Sequence, residues 1–407
     1  MMRAMADDPD DLEQEADAAP PPMSYLALFG RFLRFGALAF GGPVAQIAMI
    51  RRELVDEERW ISSRRFNRLL AVMQVLPGPE AHELCVHLGI RAKGRWGGVL
   101  AGLGFMAPGL ALMLLAAWAY ARLAPGGPIV AAAFAGVQAA VLAVVARAVH
   151  RIGAHILVHR WLFATAMGAA LATLAGVSFW LVLPTAGLIY LFASARRLAR
   201  AAGVLLLAAA LAVLTTDGSA PSLTPAASVA APGALALFVA GLKGGLLTFG
   251  GAYTAIPFVR ADTVSRGWMS DAQFLDGVAI AGVLPAPLVI FATFAGWASG
   301  GLAGALAITA GIFLPAFAFS LLFYERLEAL VEHPRLQAFL AGVAAAVVGL
   351  IAVTLIVLAE GAVARAPDLP LAALIFAGAL LAMYRWKSRL ATPVVLAAGA
   401  MLGLLAA

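Results

Sequence analysis

The chain has 407 residues, 63% of them hydrophobic and 12% charged, with a mean hydropathy of +0.93. Soluble domains carry roughly 25% charged residues, so a soluble globular protein is excluded. The net charge of +6 sits in short Lys/Arg clusters between apolar runs, where positive-inside bias places them; this excludes a nucleic-acid surface, and the single cysteine, Cys85, excludes an internal disulfide or a multi-cysteine metal site.

Residues 1–23 carry Asp7, Asp8, Asp10, Asp11, Glu13, Glu15 and Asp17 and end in Pro20-Pro21-Pro22. A signal peptide starts basic and continues apolar, so this stretch reads as a disordered acidic tail. Apolar runs follow at 25–50, 69–90, 97–121, 126–149, 161–175, 178–194, 201–214, 234–258, 277–298, 301–324, 337–360, 370–384 and 392–406. A crossing helix needs ~20 apolar residues, and backbone polar groups cannot stay unpaired in lipid. The alternation of a β-barrel is absent. The fold expected is an all-α polytopic membrane protein of about thirteen transmembrane helices.

The basic stretches around Arg91-Lys93-Arg95, Arg147-Arg151-Arg160, Arg196-Arg197-Arg200 and Arg385-Lys387-Arg389 mark cytoplasmic loops, while 215–233 has no Lys or Arg. This puts the N-terminus in the cytoplasm and the protein in the cell inner membrane. Residues 51–68 disagree, with six arginines on the side that the count makes external. Either 69–90 is re-entrant, or Glu53, Asp56, Glu57 and Glu58 pair with those arginines.

The chain also repeats itself about 208 residues on. Phe40-Gly41-Gly42, Trp60-Ile61-Ser62, Phe66, Leu76-Pro77-Gly78-Pro79 and Pro108 return as Phe249-Gly250-Gly251, Trp268-Met269-Ser270, Phe274, Leu284-Pro285-Ala286-Pro287 and Pro315. Gly36, Gly94, Gly97 and Gly104 fall in register with Gly245, Gly301, Gly304 and Gly311. The organisation expected is a first repeat over 24–214, a linker over 215–233 and a second repeat over 234–407. Duplicated apolar segments broken by Gly and Pro at matching places are the signature of a secondary transporter, and an odd number of spans between the copies inverts one against the other.

Candidate site residues follow from that pattern. Arg34 and Lys243 each stand six residues before a Phe-Gly-Gly, at a depth that costs a cation roughly 2.5–3.5 kcal/mol; together they can hold a dianion, and on this reading Arg34→Ala or Lys243→Ala abolishes transport. Gly41-Gly42-Pro43 and Gly250-Gly251 should break helices in mid-membrane and expose an anion-attracting N-terminus, with Gln46, Tyr253 and Thr254 as donors. Pro77-Gly78-Pro79 and Pro285-Ala286-Pro287 form a second pair of breaks, the first flanked by Gln74 and Glu80. Glu80, His82, Glu83 and His87 are the only dense ionisable group inside a span; they suit interhelical pairing or proton handling. No HExxH motif or second ligand set accompanies them, so neither metal nor cofactor is expected. Cys85 reads as a small packed hydrophobe. Trp60 and Trp268 read as interface anchors, each two residues before a helix-capping serine.

Phe40-Gly41-Gly42-Pro43, Trp60 with Phe66, Leu76-Pro77-Gly78-Pro79-Glu80-Ala81, Gly97-Gly98 through Phe105, Pro108-Gly109, Thr248 through Tyr253, Gly267-Trp268 and Leu275-Asp276-Gly277 resemble the chromate ion transporter family in its long, two-domain form. The resemblance is concentrated in 29–121 and 238–324. It implies a membrane protein that exports chromate, a tetrahedral dianion like sulfate. One departure bears on ion coupling: the family's second half often has a Glu shortly before Pro-Gly-Pro, where this chain reads Ala281-Gly282-Val283-Leu284-Pro285-Ala286-Pro287. The partners expected are an oxyanion and the lipid bilayer, with a homodimer left open. Carriers of sulfate or molybdate, an anion channel and a membrane enzyme are the rival readings; for the last, no catalytic triad or metal motif is present.

Overall fold

A computed structural model describes residues 20–74, 76–123, 127–215, 231–249, 251–324, 333–366, 368–386, 388 and 390–405. Most of the acidic tail, most of the 215–233 linker and Gly250 lie outside the described residues. Those described are helical, with no strand among them. The helices are α1 (Tyr25–Ala37), α2 (Gly42–Arg51, continued by a π-helical turn, Arg52–Glu57), α3 (Ser63–Met73), α4 (Glu80–Leu123), α5 (Pro128–Ile156), α6 (Arg160–Leu174), α7 (Phe179–Ser194) and α8 (Leu198–Thr215). The second half contains α9 (Ala234–Leu246), α10 (Ile256–Thr263), α11 (Asp271–Val283), α12 (Phe291–Phe323), α13 (Pro334–Arg365), α14 (Leu369–Arg385) and α15 (Ala391–Leu405).

Four helical stretches are long and apolar enough to cross a bilayer: Glu80–Arg122, Ile129–Ile156, Leu288–Phe323 and Pro334–Arg365. Two of these are hairpins. The backbone leaves helical geometry at Lys93-Gly94 and again at Gly300-Gly301, with Gly94 at φ +63° and Gly301 at φ +61°. Beyond each turn the chain packs back on itself. A Cβ at Gly89 would lie 2.5 Å from the carbonyl of Gly97, and one at Gly296 would lie 2.5 Å from that of Gly304. The glycine register seen in the sequence is thus a register of close backbone approaches. Gly36 lies on the backbone of Phe105, and Gly245 on that of Ile312. Small residues at such crossings are how membrane helices pack.

The course expected for spans 25–50 and 234–258, a crossing broken at its glycines, is corrected. They break at their glycines, but the second arm returns instead of carrying on. Arg34 forms an ion pair with Glu53, and Lys243 Nζ lies 3.2 Å from Asp262 Oδ1. In a straight helix those partners would stand ~28 Å apart. Span 69–90, for which a re-entrant course was one of two alternatives, is not one helix. It divides into α3 and the first limb of α4, and Arg91 Nε donates to the carbonyl of Trp60 at 2.6 Å, closing the mouth of a hairpin whose tip is Pro77-Gly78-Pro79. Span 277–298 divides at the matching place, with Gly277 against Phe294. Each repeat therefore carries two half-helix hairpins, with tips at 38–42 and 76–79, and at 247–249 with Gly251 and 284–287.

The acids of 53–58 do pair with arginines: Arg31 with Glu53 and Glu58, Arg51 with Asp56, Arg52 with Glu57. Trp60, expected at the lipid interface, is instead fully buried, donating to Glu58 Oε2 at 2.9 Å beneath the Arg31 guanidinium. Both capping serines cap: Ser62 accepts from the Arg65 amide, and Ser270 with Gln273 closes a reciprocal capping box. Cys85 is buried.

The two repeats interlock. α5 of the first packs on α14 and α15 of the second, while α13 of the second packs on α6 and α7 of the first. Gly136 meets the backbone of Gly399, Gly349 that of Ala166, and Gly342 that of Ala186. The first limb of α4 runs parallel to the second limb of α12, since His82 lies between Phe313 and Phe317 and His87 lies on Tyr324. Because α4 folds back at Gly94, its second limb runs antiparallel to its counterpart in α12.

Candidate functional site

The four hairpin tips meet at the centre. Gln46 Nε2 donates to the carbonyls of Ala39 at 2.9 Å and Ala286 at 3.0 Å, tying the first tip to the last. The Gly78 amide donates to the Thr248 carbonyl at 2.9 Å, tying the middle two. The same tie recurs in contacts related by the repeat: Gly109 lies on Ala286, and Gly78 lies against Ala316. Gln46→Leu would leave two buried carbonyls unpaired. We expect a loss of about 1–3 kcal/mol for each, read as a lower melting temperature in detergent.

Two cavities open beside the tips. One, of about 320 Å³, is lined by Gly41, Gly42, Val144, Arg147, Arg151, Tyr253 and Ala286, with Ser388 and Thr392 at its far side. The other, of about 610 Å³, is lined by Pro43, Gln74, Glu80, Arg151, His155, Gly251 and Tyr253. Arg151 and Tyr253 face both. Both volumes lie within the range of small-ligand sites, roughly 300–1,000 Å³.

Backbone geometry makes this wall attractive to anions. Gly41 and Gly42 take φ +87° and +78°, a left-handed turn closed to most side chains, and this turn starts α2. No side chain caps the α2 N-terminus, and its first residues face the smaller cavity. Free amides and a positive dipole end favour negative charge there. Gly251, at φ +128°, starts the corresponding turn before α10.

Of the expected site residues, Gly41, Gly42, Pro43, Gln74, Glu80, Gly251 and Tyr253 line the cavities. Gln46, Pro77, Gly78, Pro79, Pro285 and Pro287 are buried in the framework behind them. Thr254 belongs there as well, its hydroxyl accepting from the Phe249 amide at 3.0 Å and donating to the Gly251 carbonyl at 2.7 Å. Gly250 lies outside the described residues.

The two cations singled out by the repeat stand elsewhere. Arg34 is 54% exposed and paired with Glu53; Lys243 shares Asp262 with Arg266 in a shallow groove. Each is neutralised by an acid that the repeat also duplicates, so they form two equivalent ion pairs at hairpin mouths. The expectation that they face each other across the substrate is therefore corrected. Arg34→Gln leaves Glu53 paired with Arg31, and we expect oxyanion binding to survive it, as equilibrium dialysis would report.

The cations at the cavities are Arg147 and Arg151. Both belong to the basic stretch expected as a cytoplasmic loop at the end of span 126–149, but α5 runs on to Ile156. They are four residues apart on the face that also carries Val144, Ala148 and His155. That helical spacing was the available signal. Among the described residues neither has a carboxylate in ion-pairing range. Arg147 stacks over Tyr384 at 5.2 Å, with its buried Nε lacking a hydrogen-bond partner.

A duplicated bundle of apolar helices, with half-helix hairpins converging on a cationic cavity, defines a polytopic membrane transporter. The sequence profile described as "Chromate transporter" matches twice, over residues 26–195 and 235–404. The chain belongs to the chromate transporter family. It is 60% identical over 389 residues to a chromate transport protein of Pseudomonas aeruginosa, covering 95% of this chain and 94% of that one. It is 31% identical over 382 residues to a chromate transport protein of Cupriavidus metallidurans, covering 92% and 91%. A probable chromate transport protein of Synechococcus elongatus is 30% identical over 396 residues, covering 95% and 96%. No solved structure matches the chain.

Proposed function

We propose that this protein exports chromate across the cell inner membrane by alternating access, binding the dianion between Arg147, Arg151 and the N-terminus of α2. The observation that carries the reading is a pair of arginines, with no carboxylate in ion-pairing range among the described residues, beside four converging hairpin tips. The names of the relatives support chromate as the substrate. Recognition rests on the charge and shape of a tetrahedral dianion, so sulfate should compete.

The hairpins also support a topology. If each tip enters and returns on one side, the first repeat crosses with the second limb of α4 and with α5, α6 and α7. Then α8, outside both family matches, crosses once more and brings the second repeat in from the opposite side. The antiparallel second limbs of α4 and α12 support such inverted repeats, the usual basis of alternating access. In this topology residues 51–68 join 91–95, 157–160, 196–200 and 385–389 on one face. The discordant arginines then lie in the cytoplasm with the other basic loops and the N-terminus. Both cavities are lined by the cytoplasmic ends of α5, with α14 and α15 at one and α6, α7 and α13 at the other, an arrangement that suits an inward-facing state.

The test is equilibrium binding of labelled chromate to the purified protein, with sulfate as competitor. Saturable binding displaced by sulfate is expected. Binding that neutral solutes displace as well would overturn the dianion site.

A further inference from the structure

The first limb of α4 bears a polar stripe that anion binding does not use. Glu80, Glu83 and His87 follow one another by a turn on a single face. Glu80 lines the larger cavity and is 7% exposed. Glu83 is 0% exposed, and neither of its carboxyl oxygens has a hydrogen-bond partner. It lies directly behind the Pro77-Gly78-Pro79 tip, its Oε1 2.5 Å from where a Cβ on Gly78 would stand. The absence of a side chain at Gly78 makes the room for that carboxyl.

A buried carboxylate without a hydrogen-bonding or charged partner is costly, whereas a neutral carboxyl costs a few kcal/mol at most. The groups around Glu83 have been arranged without a counter-charge. On its own helix it faces Glu80 and His87; from the second limb of α12 it faces Ala316, with Tyr324 further along against His87. Arg65 and Arg91 act on His87 from the hairpin mouth, and Arg151 acts on Glu80 from α5 across the cavity. The neighbouring His82 packs among Phe105, Phe313 and Phe317. In the second repeat Leu288 stands at the position of Glu80, and residues 289–295 carry no ionisable side chain where the first repeat has Glu83 and His87. A framework role would be expected in both copies; this carboxyl pair is in one.

We propose that Glu83, reached from the cavity through Glu80, is a proton-binding site that couples transport of the dianion to the pH gradient, the proton and the anion moving in the same direction. The inference rests on the reading of the cavity as the anion site. A dianion in the cavity penalises charge on Glu80 and Glu83, so anion and proton favour each other's binding, and this coupling is reciprocal. No covalent step is involved: a proton passes from cavity water to Glu80 and on to Glu83, and leaves by the same route once the cavity has opened to the other side.

The test uses the full chain in proteoliposomes in alkaline medium, where chromate itself carries no proton, with the membrane potential clamped by potassium and valinomycin. With the outside made acid, we expect wild-type vesicles to accumulate labelled chromate. Glu83→Gln, an isosteric mimic of the neutral acid, should lose gradient-driven accumulation while still exchanging internal for external chromate, which also reports that it is folded. Chromate that moves but ignores the gradient, accumulates on the acid side, or responds equally in Glu83→Gln would overturn the inference and leave the anion site standing. If Glu83→Gln fails to fold, the wild-type response to the gradient alone decides. An absence of chromate exchange by folded wild-type protein would overturn both readings.

Discussion

Replacing Arg151 by Gln should weaken chromate binding by about 1.5–3 kcal/mol, roughly ten- to a hundredfold in Kd, the amount carried by a hydrogen bond to a charged group. Arg151 faces both cavities, and no described carboxylate pairs with it, so its charge is available to a ligand. Arg147→Gln should act in the same direction, and the double variant should bind no chromate at working concentrations. Lysine at 151 should restore part of the affinity, since it keeps the charge but loses the planar fork. Labelled chromate binding to purified protein reads all four variants. Unchanged affinity in the double variant would remove these arginines from the site and reopen the case for Arg34 and Lys243.

Gly136→Val should be the most damaging substitution of a single small residue. A Cβ there would meet the Gly399 carbonyl, and backbone cannot yield as a flexible side chain can. Overpacking typically costs about 1–3 kcal/mol, and a backbone contact puts this site at the upper end. The site of damage matters as much as its size, because Gly136 lies where α5 of the first repeat crosses α15 of the second. If the repeats interlock, the variant loses the folded peak in fluorescence-detected gel filtration of detergent extracts, although every residue within either repeat is otherwise intact. Gly168→Ala, on α6 with nothing within 4 Å of its new methyl, should elute as the unchanged protein does. Equal behaviour of the two variants would argue against the crossing.

The sequence carried the duplication in plain view. Phe40-Gly41-Gly42 and Pro77-Gly78-Pro79, with their later copies, do interrupt helices, because glycine opens left-handed backbone and proline removes an amide. What hydropathy does not carry is direction. An apolar run of 26 residues, as in 25–50, has the same composition whether it crosses or turns at its middle; only the pairing of Arg34 with Glu53, and of Lys243 with Asp262, reveals the return. The basic loop at 51–68 was the visible trace of that return.

The cavity arginines were missed for a related reason. The apolar run 126–149 ends where His150 and Arg151 follow Arg147, although Arg147 and Arg151 continue the helical face of α5 into a polar cavity. Conversely, Arg34 and Lys243 drew notice because the repeat preserves them, and what it preserves is an ion pair at a hairpin mouth. The exchange of α5 and α13 between repeats leaves no mark in the sequence, since both helices are apolar over most of their surface and either neighbour satisfies them.

Chromate uptake into everted vesicles containing this protein, measured with and without excess sulfate, tests the central claim most directly. Saturable, energised uptake that sulfate suppresses is the expected result, and Arg151→Gln vesicles with an equal amount of folded protein should lose it. Uptake no greater than in vesicles lacking the protein, when folded protein is shown to be present, would contradict chromate export.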